Sequence, residues 1–187
     1  MNKDYIALLQ QQGFNDQQAQ LYGQYAEAIA LAPKTLLCKQ QQAIEYAYYI
    51  VSGLCQAYYL TDEGKTFSKE FYWQGDFIVG FESLLTQQPS PYMVATLTHC
   101  QLLRVPIKQV QQWREQAHPF YQKLIENQLL YKEGKERYML LHSPEQRYKL
   151  FSENYPELEQ QLTDYQVASY IGITPISLSR IKKRLRS

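Results

Sequence analysis

Residues 163–187 read TDYQVASYIGITPISLSRIKKRLRS, and their spacing is that of two helices meeting at a tight turn. Thr163 followed three residues later by Gln166 forms a capping box, which starts a helix. Val167, Ala168 and Ile171 supply its apolar face, and Gly172 falls where the helix needs a residue at ease with positive φ. Thr174 caps a second helix, with Pro175 in the first position, where a missing N–H costs nothing. Leu178, Ile181 and Leu185 give that helix an inward face at i, i+3 and i+7. The small Ala168 lets the two helices cross steeply, as in a helix-turn-helix. The opposite face carries Ile176, Arg180 and Lys183, flanked by Thr174, Ser177, Ser179 and Arg184. These seven residues are the candidate DNA-reading set, and Arg180, Lys182, Lys183, Arg184 and Arg186 make the element locally cationic. A plain helical hairpin with a solvated basic tail would need only one or two of these features, whereas caps, turn glycine, thin crossing and apolar positions all agree.

The rest of the chain is electrically almost neutral. With 19 Lys and Arg against 18 Asp and Glu over 187 residues, the formal net charge is +1, so nucleic-acid affinity must come from local rather than overall charge. No apolar run approaches the ~20 residues of a membrane span. The start, MNKDYIALLQQQGF, is too glutamine-rich for a secretory signal, so a cytoplasmic protein with no membrane partner is expected. The three cysteines, Cys38, Cys55 and Cys100, and the three histidines, His99, His118 and His142, are too dispersed for a disulfide framework or a metal site. No catalytic constellation and no cofactor is identified, and the chain does not read as an enzyme.

Working back from the C-terminus, Ser143-Pro144-Glu145-Gln146 is another capping box with proline in the first helical position. It marks an expected boundary between residues 1–142 and a DNA-binding unit over 143–187. Residues 119–141 and 106–115 read as helices. Residues 34–105 carry strand and turn signals: an aromatic and β-branched run at 46–51, a break at Gly53, a hairpin loop at residues 61–65, a turn at Gln74-Gly75-Asp76, and strands at 92–97 and 100–105. Many short strands joined by glycine turns suggest a closed or rolled β structure. Residues up to about Leu31 look helical, with a break at residues 13–15. The expected fold class is α+β: N-terminal helices and a rolled β domain, a long helix, and a C-terminal helix-turn-helix.

The long helix shows a mixed heptad seam. Phe120, Asn127, Gly134 and Leu141 share one register, and Leu124, Tyr131 and Tyr138 the adjacent one, which predicts a coiled-coil contact to a second copy through Phe120, Leu124, Tyr131 and Tyr138.

In this order the pieces YYIVSGLCQAYYLTDEGK (48–65), WQGDFIVGFESLL (73–85) and above all ASYIGITPISLSRIKKRL (168–185) resemble the Crp/Fnr family of bacterial transcription regulators, over nearly the whole chain. The resemblance implies a cyclic-nucleotide-binding-like jelly roll, a double-stranded β-helix, followed by a long dimerisation helix, and a homodimer reading a two-fold symmetric operator in double-stranded DNA. RNA polymerase is a candidate partner. It also implies an effector pocket at Gly80, Phe81, Glu82, Ser83, Ser90 and Tyr92. Relatives that bind cyclic nucleotides use a Gly-Glu pair and then an Arg-Ser pair. Here the matching stretches are Gly80-Phe81-Glu82 and Pro89-Ser90-Pro91, with the glutamate displaced by one and the arginine absent. A buried phosphodiester would lack its charge-assisted partner, so cyclic AMP is not the expected effector and any small-molecule effector is of another kind. Relatives commonly add a β-hairpin wing after the recognition helix; the sequence ends at Ser187, and a domain lacking that wing is expected. The other reading is a ligand- or partner-binding β-roll whose helix-turn-helix no longer reads DNA. A cupin-like enzyme, which would need clustered histidines, is the remotest.

Overall fold

The computed structural model describes residues 3–186, leaving aside the side chains of Asp4 and Arg186. Eight strands form two four-stranded antiparallel sheets. One has the order β1 (Glu27–Leu31), β8 (Cys100–Pro106), β3 (Tyr46–Ser52), β6 (Phe77–Ile78). The other runs β2 (Leu36–Cys38), β7 (Met93–Thr96), β4 (Cys55–Leu60), β5 (Thr66–Tyr72). This strand order is a jelly roll, and its interior is filled by Ile50, Ala57, Tyr72, Val94 and Leu102. The β4–β5 hairpin slips register beside Lys69, since Ala57 faces Glu70 while Tyr58 faces Ser68. Such a bulge re-aims the side chains around it.

Helices α1 (Lys3–Gln11), α2 (Asp16–Gly23), α4 (Ile107–Glu115) and the start of α5 (Pro119–Leu141) close one end of the roll. Their core is aromatic: Phe14 stacks on His118 at 3.7 Å and meets Trp113 at 5.4 Å. A short α3 (Phe81–Thr86) leads into β7. Beyond α5 come α6 (Pro144–Asn154), α7 (Pro156–Gln161), α8 (Asp164–Tyr170) and α9 (Pro175–Arg186).

The α+β jelly roll with a C-terminal helical region is therefore as the sequence implied, but three local expectations are not met. The N-terminal helical reading fails after Gly23: residues 27–31 are β1, with Ile29 opposite Leu102 of β8. Ala and Glu are good helix formers, but propensity is a weak determinant, and an open strand edge with a full hydrogen-bond ladder overrides it. Leu21 and Tyr25, apolar positions within that helical reading, are exposed. The helix α3 and the two-residue β6 had no pattern long enough to signal them.

Candidate nucleic-acid interface and effector pocket

The helix-turn-helix is built as its caps require. Thr163 Oγ1 accepts from the Gln166 N–H at 3.3 Å while Gln166 Oε1 accepts from the Thr163 N–H at 2.9 Å. Helix α8 stops at Ile171, and Gly172 follows at φ 72°. The positive φ favours glycine, and a Cβ there would also push on the end of the Met139 side chain, 2.7 Å away at Cε. The Ile173 N–H returns to the Ala168 carbonyl at 2.9 Å. Thr174 Oγ1 then accepts from the Ser177 N–H at 3.1 Å and caps α9. Val167, Ala168, Ile171, Leu178 and Ile181 are buried in one cluster with Phe151 and Leu158. Removing the first cap by Thr163→Ala should cost about 1 kcal/mol, measurable as a lower denaturant midpoint at unchanged slope.

Outward, Ile176 is 66% exposed, and Ser179, Arg180 and Lys183 are exposed with it. Thr174 is exposed, and Ser177 is half-buried with its hydroxyl 3.0 Å from that of Thr174. The stripe Ile176, Arg180, Lys183 is therefore on the exposed side of α9. Two sequence expectations about α9 need correction. Leu185 is 46% exposed, because the small core ends one turn earlier, at Ile181. Lys182 does not belong to the cationic surface: its ammonium lies 2.6 Å from Asp164 and 3.5 Å from Glu159, with the side chain 18% exposed. Arg184 pairs with Glu145 at 2.6 Å. Arg186 falls where side chains lie outside the described residues.

Helix α8 is docked on the roll. Ser169 Oγ accepts from the Ser68 N–H at 2.7 Å, the hydroxyls of Tyr165 and Thr66 are 3.2 Å apart, and Gln166 Nε2 donates to Gln56 at 3.4 Å. Leu54 and Phe71 of the roll join the core of the helical part.

Helix α5 shows two different faces. Phe120 and Leu124 pack into the N-terminal core, the hydroxyls of Tyr131 and Tyr170 are 2.9 Å apart, and Tyr138 donates to the Arg147 carbonyl at 2.5 Å. The four residues assigned to dimerisation thus face their own chain. The other register turns outward with its neighbours: Leu130 is 70%, Leu140 75% and Leu141 72% exposed, Asn127 is exposed, and the Gly134 Cβ position opens on empty space. Lys123, Asn127, Leu130, Gly134, Arg137 and Leu141 alternate at four- and three-residue steps along that face, the spacing of a coiled-coil seam.

In the expected effector pocket, Ser83, Ser90 and Tyr92 are buried, Gly80 and Phe81 half-buried, and Glu82 points into solvent. Ser90 Oγ is already engaged, donating to the Tyr92 carbonyl at 2.8 Å. Phe81 packs edge-on against Tyr121 of α5. The sequence reading missed a buried polar cluster nearby. Glu70, 5% exposed, accepts from Tyr72 at 3.1 Å and from Gln128 at 3.4 Å, and it pairs with Lys132 at 3.2 Å and Lys69 at 3.5 Å. The Lys69 ammonium also sits 4.4 Å over the Tyr92 ring. Burial pushes the Lys69 ammonium below the usual lysine range, Glu70 offsetting part of the shift and Lys132 adding to it. Only the adjacent charges of Lys69-Glu70 inside a strand could have signalled this.

A family profile described as the cyclic nucleotide-binding domain matches residues 28–117. No curated protein sequence matches the chain. A putative transcriptional regulator of the Crp/Fnr family from Eubacterium rectale superposes with TM-score 0.79 at 13% identity, covering 98% of this chain and 88% of that one. FixK2 from Bradyrhizobium japonicum gives 0.70 at 15% identity, covering 86% and 84%. CLP, the c-di-GMP responsive global regulator of Xanthomonas campestris, gives 0.69 at 17% identity, covering 87% of each. Residues 28–117 are therefore similar to the cyclic nucleotide-binding domain, and the chain as a whole has the fold seen in these Crp/Fnr-type structures.

Proposed function

We propose that the protein is a DNA-binding transcription regulator that works as a homodimer, each copy placing α9 in one half of a two-fold symmetric operator. The observation that carries this reading is the stripe Ile176, Arg180, Lys183, exposed on a helix whose opposite face is buried at Leu178 and Ile181. A rigid helix with one exposed face that carries a forked guanidinium meets the requirements of major-groove readout. A protein of this fold binds two half-sites roughly 34 Å apart along the duplex. The outward face of α5 is apolar enough to join the copies. The domain division is read as 1–142 for the sensing part with its dimer helix and 143–187 for the DNA-reading part.

The test is selection from random double-stranded DNA. A palindromic consensus is the expected result; a pool that stays random while the protein captures a partner favours the β-roll module with a silent helix-turn-helix, a reading that the docking of α8 on Thr66 and Ser68 lends some weight. RNA polymerase remains the candidate partner at the promoter. Among the described residues no helix is long and apolar enough to cross a membrane, and a cytoplasmic site of action accords with a DNA partner.

The effector is proposed to be a small molecule other than cyclic AMP. Prolines flank Ser90 where relatives carry an arginine beside the serine, the Ser90 hydroxyl is turned onto the chain's own backbone, and the nearby Lys69 ammonium is committed to Glu70 and the Tyr92 ring. Calorimetry with cyclic AMP up to about 1 mM should show no saturable heat, a concentration at which even weak binding of roughly 4 kcal/mol would register. A micromolar isotherm would overturn this part of the reading.

A further inference from the structure

Lys69, Lys132 and Lys135 crowd around one carboxylate. Lys69 and Lys132 pair with Glu70, and among the described residues no carboxylate lies within ion-pair reach of Lys135. Its ammonium donates to the Lys69 carbonyl and sits 4.0 Å over the Tyr170 ring. A buried cation in that position has a dipole and a ring face for company, but no counter-charge. Beside it is a cavity of about 220 Å³ between α5 and the helices that carry the DNA-reading unit, walled by Tyr131, Tyr138, Phe151, Tyr155 and Tyr170. We propose that this cavity binds a small aromatic carboxylate, its ring held among the tyrosines and its carboxylate on Lys135.

The size agrees, since an apolar cavity of ~150 Å³ admits a benzene ring. The walls argue against a bare inorganic anion, which would surrender its hydration to a site poor in donors. The hydroxyls of Tyr131 and Tyr170 pair with each other, and that of Tyr138 is given to the Arg147 carbonyl. Lys135, the Asn154 amide and the Tyr155 hydroxyl remain as the polar groups suited to a carboxylate. The groups facing Lys135 are Lys69 and Glu70 from β5, Tyr131, Lys132 and Tyr138 from α5, Tyr155 after α6, and Tyr170 from α8, with Arg147 beyond Tyr138. Burial pushes the Lys135 ammonium down to about 7, with Lys132 and Lys69 lowering it further and Glu70 opposing them. A bound carboxylate would raise it again. Because the ligand would touch both α5 and α8, its effect on DNA reading rests on the regulator reading above, whereas its binding does not.

The experiment is calorimetry on the full chain with benzoate, benzyl alcohol and inorganic phosphate. Benzoate should bind saturably at pH 7 and at least tenfold more tightly than the uncharged benzyl alcohol. At pH 8, where Lys135 is largely neutral, benzoate binding should take up a proton, seen as a dependence of the heat on the buffer's ionisation enthalpy. Lys135→Met should lose at least tenfold in benzoate affinity and leave benzyl alcohol unchanged. Equal affinity for benzoate and benzyl alcohol, phosphate binding as tight as benzoate, or the absence of proton uptake would each overturn the proposal. These comparisons need only the unmodified protein, so they hold even if the variant does not fold. Failure here with a palindromic operator recovered in selection removes the site alone; benzoate binding with no operator leaves the site and removes the regulator.

Discussion

A chain carrying Leu130→Glu and Leu141→Glu is expected to be monomeric and to bind its operator at least ~100-fold more weakly, because a second half-site engaged through the same dimer is worth a factor of 10² to 10⁴. Both leucines lie on the free face of α5, at 70% and 72% exposure, with Gly134 between them offering room for a close helix approach. Two copies pressed together there would bury both side chains, and replacing them with glutamates sets like charges across the seam. Light scattering reads the mass and a gel-shift titration the affinity. The contrasting pair Leu124→Glu and Tyr131→Glu would strike the chain's own core and the contact with Tyr170, so it should lower thermal stability instead of changing the mass of a folded species. If the Leu130 and Leu141 variant keeps the parent's mass, the seam lies elsewhere.

Arg180→Ala is expected to cost roughly 1 to 3 kcal/mol of operator binding and to relax preference at one position in each half-site. The arginine is exposed one turn after Ile176 on α9, and its fork matches guanine O6 and N7. Ile176, 66% exposed, has no packing role within the chain. It offers no hydrogen bond but suits a thymine methyl, so an A·T pair is expected beside the guanine, and Ile176→Glu should move preference there toward C·G, a glutamate accepting from cytosine N4. Parallel selections with parent and variant decide the matter. Identical consensus sequences would mean that Ile176 touches no base.

Both predictions draw on features that differ in how legible they are from residues alone. The caps at Thr163, Thr174 and Ser143 form as their patterns require, and Gly172 takes the positive φ its place demands. In each case donor and acceptor lie within three or four residues of each other, so the chain needs no tertiary partner to satisfy them. The exposed stripe of α9 was legible for the same reason, as the remainder of a helix whose apolar residues recur at helical spacing. The family's strand pattern is likewise local: the loop 61–65 does join β4 to β5, and Tyr46–Ser52 is a strand. The buried charged cluster was hardest, because the resemblance directed attention to Gly80–Ser90 while that cluster assembles around Glu70 from β5 and α5.

What the sequence by itself determined, then, is where the C-terminal helices start and stop, the turn between α8 and α9, and that Ile176 and Arg180 lie on the exposed face of α9. Only the tertiary structure decided that residues 27–31 become an edge strand, which face of α5 turns inward, that Lys182 is tied to Asp164 and Glu159, and that Lys69 and Lys132 share the Glu70 carboxylate. The reason is sequence distance. Tyr131 finds Tyr170 across 39 residues and Ser68 finds Ser169 across 101, and a heptad with apolar residues on two sides carries no mark of which side its own chain will cover until those distant partners arrive.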